Sequence, residues 1–331
     1  GAILGSLGFM LAMFYIWFAL PAGDPVREHW RLLGLTIWLA LMGVVIWGTL
    51  VGSLMPFDAV VINTLTTAYV FDRRSQGDAN MYRKIDLKFA ASTGAAVNDD
   101  SIFIGSTEGR CESVLLAPAV HRWDLQTEGR IEADPDTFDR LVYVASTASS
   151  GNRFHAVRSR EEYERVWSQK LDGPVVANFH VDQRGCFVPC KNNVLYAFSP
   201  ASGEPLWAPV STDGRLTQDV QVSDRTVFQY ADADKFYAVN LLDGSIRWTM
   251  PEGRVVLAAM KGNVYVLDDQ KNLRIIDEIL GQEKAALPMY GFDFLLPNTQ
   301  AKAIYGATAD GKLYCINPAE DEVLPRGGGG F

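Results

Sequence analysis

The stretch from Leu195 to Trp248 holds one pattern written twice, LYAFSPASGEPLW at 195–207 and FYAVNLLDGSIRW at 236–248. Each copy is an alternating apolar run, a turn at Gly203 or Gly244, and a tryptophan four residues later. Alternation of period two interrupted by a turn glycine predicts a β-strand, a hairpin and a second β-strand. Trp207 and Trp248 stand 41 residues apart. A β-hairpin unit of about 40 residues cannot bury both of its faces alone, so copies must stack on one another, as blades of a β-propeller do.

The period continues in both directions. FHAVRSREEYERVW ends at Trp167, and Trp123 stands one period earlier. A second marker is the strand before each hairpin: SIFIG at Ser101, LVYVA at Leu141, CFVPC at Cys186, TVFQY at Thr226, NVYVL at Asn263 and AIYGA at Ala303, with starts 37 to 45 residues apart. Turn formers follow each of them. AYVFD at Ala68 and YRKID at Tyr82 supply the second half of a further repeat, and VVIN at Val60 its preceding strand. The expectation is one closed all-β propeller over Val60 to Leu324, of seven blades, with six or eight as alternatives. Its recurrent tryptophans pack between blades, and Leu287 and the neighbourhood of Ile85 mark repeats that have lost theirs.

The alanine, turn glycine and tryptophan pattern resembles the tryptophan-docking repeat of PQQ-like β-propellers. That family includes quinoprotein dehydrogenases and the propeller lipoprotein of the bacterial outer-membrane assembly machinery. The resemblance covers Val60 to Pro318 and implies the fold. The acidic residue usual two positions after the alanine is replaced by Ser199 and Asn240, and the repeats at Leu273 and Leu313 lack the tryptophan. Quinoprotein dehydrogenases set an adjacent cysteine pair against their cofactor, with a calcium ion and an aspartate base. Cys111, Cys186, Cys190 and Cys315 include no adjacent pair.

Before the repeats, Ala2 to Leu20 and Leu32 to Phe57 carry no Asp, Glu, Lys or Arg, and each is long enough to cross a hydrocarbon core as a helix. Two transmembrane helices joined by a short polar turn are therefore expected, forming a membrane anchor over 1–57 ahead of a propeller domain over 58–331. FALPAG resembles the end of a signal peptide, but Gly1 to Gly5 lacks the basic start such a signal uses. Trp30, flanked by Arg27 and Arg31, suits a headgroup boundary, and Trp38 and Trp47 are boundary or partner-contact candidates. The positive-inside rule sets Arg27 and Arg31 in the cytoplasm. The propeller then faces the periplasm from a bacterial inner membrane.

The net charge of −9 falls on the propeller, because Arg27 and Arg31 balance Asp24 and Glu28 in the anchor. Such a domain is a poor ligand for nucleic acid or anionic lipid. His29, His121, His155 and His180 lie in separate segments without a metal-ligand spacing. No glycine-rich phosphate loop and no GxSxG elbow occurs. EADPDTFD at 132–139 could offer calcium oxygens, but Pro135 within it favours a solvated loop between blades. Cys186 and Cys190 sit on one strand face, too far apart to bridge, and read as buried apolar residues. The sequence thus points to a non-enzymatic accessory or scaffold subunit of a larger membrane complex, with no catalytic residue, cofactor or metal. Its expected partners are integral membrane subunits and a soluble periplasmic protein. The alternative is a membrane-anchored, quinoprotein-like oxidoreductase.

Overall fold

The computed structural model describes residues 59–72, 81–98, 100–116, 119–159, 164–233, 235–299 and 303–317. The chain divides into two units, 1–58 and 59–331, and all of these residues belong to the second. The two expected membrane spans lie outside the described residues, as do Arg27, Trp30, Arg31, Trp38 and Trp47. Among the described residues no helix is long and apolar enough to cross a membrane.

Seven antiparallel sheets follow one another along the described chain. Five are four-stranded, over 95–126, 136–171, 180–211, 221–251 and 253–288, and two three-stranded sheets flank them, over 59–86 and 294–316. We number them blades 1 to 7. This is the expected all-β propeller, and its blade count is the expected seven. Within each blade, strands adjacent in sequence are adjacent in space. The first strands of blades 2, 3 and 4, Ala95–Val97, Asp136–Phe138 and His180–Asp182, touch one another in series, so they are the innermost. The second strands Ser101–Gly105, Gly185–Cys190 and Thr226–Ala231 are buried at every residue. Neighbouring blades cover both of their faces, which is why their sequences are nearly continuous apolar runs rather than alternating ones.

One cross-strand row explains the repeat residue by residue. An aromatic on the second strand lies opposite a small residue on the third, in the pairs Phe103–Ser113, Tyr143–Ala156, Phe187–Ala197 and Phe228–Ala238. The tryptophan of the fourth segment lies beyond the small residue: Trp123 beside Ser113, Trp167 beside Ala156 and Trp248 beside Ala238. With only a Cβ or a hydroxyl between them, the two rings can approach, and their centroids are 5.7 to 6.4 Å apart in all four blades. Aromatic pairs at this separation add about 0.5–1.5 kcal/mol beyond the area they bury.

The indole then docks on the next blade. Trp167 donates its Nε1–H to the Pro200 carbonyl at 2.9 Å, Trp207 to Leu241 at 3.3 Å and Trp248 to Glu278 at 2.9 Å. Under these rings lie Gly203, Gly244 and Gly281 of the following blade, where an added Cβ would come within 2.5 to 2.7 Å of the indole. Gly203 and Gly244 also have φ of +73°, a conformation side chains disfavour, so two independent constraints select glycine there. Trp123 departs from the rule. Among the described residues its Nε1–H has no acceptor, and the corresponding segment from Ser159 to Glu164 contains no glycine.

Two positions need correction or definition. The tryptophan place in blade 6 is Ala285, opposite Ile275, whereas Leu287 pairs with Leu273. In blade 1 it is Arg83, opposite Val70 and next to the same register shift, whereas Ile85 pairs with Ala68. The same register shows that the three strands of blade 1 correspond to strands two to four of the others, and those of blade 7 to strands one to three.

Candidate protein interface and polar axis

Polar side chains beside the inner strands tie successive blades together. Asp134 takes the Gly94 N–H at 2.6 Å on Oδ1, while its own N–H reaches Asn178 Oδ1 at 2.8 Å. Asn178 repeats the arrangement on Asp219, giving its N–H to Oδ1 at 2.8 Å and its amide to Oδ2 at 3.2 Å. Asp136 accepts the Val181 N–H at 2.8 Å, and Gln221 exchanges two hydrogen bonds with the backbone of Val256, at 2.6 and 2.7 Å. Inner strands this short leave many backbone groups unpaired, and these side chains satisfy them. EADPDTFD is therefore not a solvated loop. Its Asp136, Thr137 and Phe138 form the inner strand of blade 3, and Asp134 and Asp136 are occupied as acceptors between blades.

Burial pushes the Asp136 carboxyl above its ordinary range, against the hydrogen bonds from the Thr137 and Val181 amides. Asp182 goes the other way. Burial would raise it, but hydrogen bonds from His180 and Arg184 hold it far below the usual carboxylate range. Burial likewise pushes the thiols of Cys111 and Cys190 up to about 12, and that of Cys186 higher still, so none is a nucleophile at neutral pH. Cys186 and Cys190 pack in one apolar cluster between blades 3 and 4, as expected of structural cysteines.

The outward chemistry lies at the ends of the blade series. In blade 7, Phe294, Ala307 and Leu313 form one cross-strand row, and Leu296, Tyr305 and Cys315 form the next. Period-two alternation puts both rows on one face. Tyr305 occupies the place of Phe103, Tyr143, Phe187 and Phe228, which are fully buried against the following blade. Here the face is open: Leu313 is 81% exposed, Phe294 65% and Leu296 53%. The opposite face behaves normally, with Leu295, Ile304 and Ile316 packed against blade 6. Blade 1 mirrors this, for Val61, Ala68 and Val70 pack on blade 2 while Val60 and Ile62 are exposed. Contiguous exposed apolar rows of this kind mark interaction surfaces.

Sequence reading did not single out this face. It also treated the four histidines as unrelated, whereas His121 lies 2.7 Å from Asp124 and beside the buried Glu112.

A family profile described as "Outer membrane protein assembly factor BamB" matches residues 156–293. That span holds the tryptophan dockings of Trp167, Trp207 and Trp248. These blades resemble PQQ-like repeats. Among solved structures, the propeller is similar to BamB from Moraxella catarrhalis, with TM-score 0.59, 14% identity, and coverage of 78% of this chain and 82% of that one. It is also similar to the quinohemoprotein alcohol dehydrogenase from Comamonas testosteroni, with TM-score 0.57, 12% identity, and coverage of 78% and 64%. The Cps50 (Swd1) propeller domain of Myceliophteria thermophila follows with TM-score 0.51, 9% identity, and coverage of 77% and 91%. At these identities the likeness is one of fold. No curated protein matches the chain in sequence.

Proposed function

We propose that the protein is a non-enzymatic scaffold subunit of a larger membrane complex. The two uncharged segments before the propeller dock in a bacterial inner membrane, and the propeller holds partner proteins on the periplasmic side. The observation that carries this reading is the open face of blade 7, where Tyr305 and Leu313 stand in solvent at places that are buried in blades 2 to 5, beside the exposed Phe294 and Leu296. The match to an assembly-factor profile supports a protein-binding role rather than a chemical one. The quinoprotein alternative receives less support, since the likeness to the alcohol dehydrogenase is one of fold, the sequence has no adjacent cysteine pair, and Asp134 and Asp136 already serve the backbone.

The test is site-specific photo-crosslinking from Leu313 in cells, with Leu242, an exposed turn residue of blade 5, as control. A crosslink from Leu313 to another protein, weakened by Phe294→Asp, is the expected result. If Leu313 instead captures residues 59–72 of its own chain, blade 7 closes on blade 1, and partner binding by this face is refuted.

A further inference from the structure

Blade 2 contains a cluster that neither the fold nor the scaffold role uses. Glu112 lies directly opposite Asp124 on the neighbouring strand, and His121 lies opposite Val114. In a regular strand residues three apart point to opposite faces. The register shift between Ser113 and Val114 inserts Arg122 as an extra residue, which brings His121 and Asp124 onto the same side. The ligating atoms of all three residues lie within 4.8 Å of one another.

We infer that Glu112, His121 and Asp124 form a binding site for one zinc-type divalent ion. Glu112 is 2% exposed, yet its Oε2 takes only the Lys88 N–H, at 3.4 Å. Among the described residues its Oε1 accepts no hydrogen bond and faces His121 Nε2 across 3.9 Å. A buried carboxylate oxygen aimed at an imidazole nitrogen, too far for a hydrogen bond, has the spacing of two ligands around an absent ion. Zinc bonds of about 2.0–2.2 Å place tetrahedral ligands roughly 3.3–3.5 Å apart. That value lies between the Glu112–His121 separation of 3.9 Å and the His121–Asp124 separation of 2.7 Å, so small side-chain movements suffice.

Arg110 completes the arrangement by pairing with Asp124 Oδ2, which leaves Oδ1 toward the cluster. Ligating carboxylates are commonly oriented by such outer partners. One imidazole with two carboxylates favours zinc or a neighbouring transition ion over calcium or magnesium, which prefer all-oxygen sets. The ion would take the Nε2 lone pair of a neutral imidazole, whose proton then sits on Nδ1.

Isothermal titration of the full chain in mild detergent, with zinc, calcium and magnesium chlorides in turn, tests the assignment. One equivalent of zinc should bind, with calcium and magnesium at least about tenfold weaker. Glu112→Gln and His121→Gln should each weaken zinc binding by at least about tenfold. His121 is partly exposed, so its variant should retain the parent circular dichroism. Absence of zinc binding by the parent overturns the proposal. So does zinc binding by folded His121→Gln with parental affinity, because the ion then lies elsewhere.

Discussion

At the scale of single residues, stability concentrates where an indole of one blade meets a glycine of the next. Trp207 is 7% exposed, stacks with Phe187 at 6.4 Å and caps the Leu241 carbonyl. Removing it opens a cavity between two blades and orphans that acceptor, so Trp207→Ala should cost about 3–5 kcal/mol, read as a lowered midpoint in urea. Gly244→Ala leaves the indole present but drives a Cβ to 2.7 Å from it at φ +73°, and should destabilise in the same direction. His155 offers a second test, through pH. It is 2% exposed, with Nε2 at 3.1 Å from Ser146 Oγ and, among the described residues, no partner for Nδ1. Burial, aided by Arg165 and Arg153, pushes its pKa down from 6.5 to about 4. The unfolded chain therefore takes a proton that the folded one refuses. Its contribution to stability is intact above pH 6.5, falls as the pH drops and is lost by about pH 4, a swing of about 3 kcal/mol. His155→Gln should flatten that limb of a stability profile measured between pH 7 and 4; an unchanged profile would assign the acid sensitivity to other groups.

At the scale of strands and blades, the sequence is legible where a residue type serves one geometric purpose. Phe187, Ala197, Gly203 and Trp207 each do so, although the second strand expected at Trp207 is only Val210–Ser211, just after it. Legibility fails where a bulge breaks the period. The extra residue at Arg122 turns two side chains three apart onto one face, and no alternation rule anticipates His121 meeting Asp124. It fails again at short inner strands. Asp136 and Gln221 lie in strands of three and two residues, where the polar side chains complete a ladder that the backbone cannot. On sequence alone, such an acidic run is hard to distinguish from a solvated loop. The open face of blade 7 was hidden for a third reason: exposure there depends on which blade follows, a property of the series and not of the strand.

At the scale of the whole molecule, two uncharged segments precede a domain that one would suffice to anchor. A lone anchor needs about 20 apolar residues and no particular surface. Two such segments, Ala2 to Leu20 and Leu32 to Phe57, separated by only a short polar turn, would present a fixed two-helix face to neighbours in the bilayer. Association within lipid gains little from hydrophobicity and depends on close packing, so that face is most useful inside a complex. On this argument Trp30, Trp38 and Trp47 belong to contacts or to the membrane boundary, with Arg27 and Arg31 on the cytoplasmic side. Replacing residues 1–57 with an unrelated single membrane anchor should leave the propeller folded, with the same near-ultraviolet circular dichroism, while membrane subunits cease to copurify in mild detergent. Partners held by the blade 7 face should remain attached through Phe294, Leu296 and Leu313. If the chimera instead retains every partner in the parental amount, the two segments serve only as a tether, and all recruitment belongs to the propeller surface.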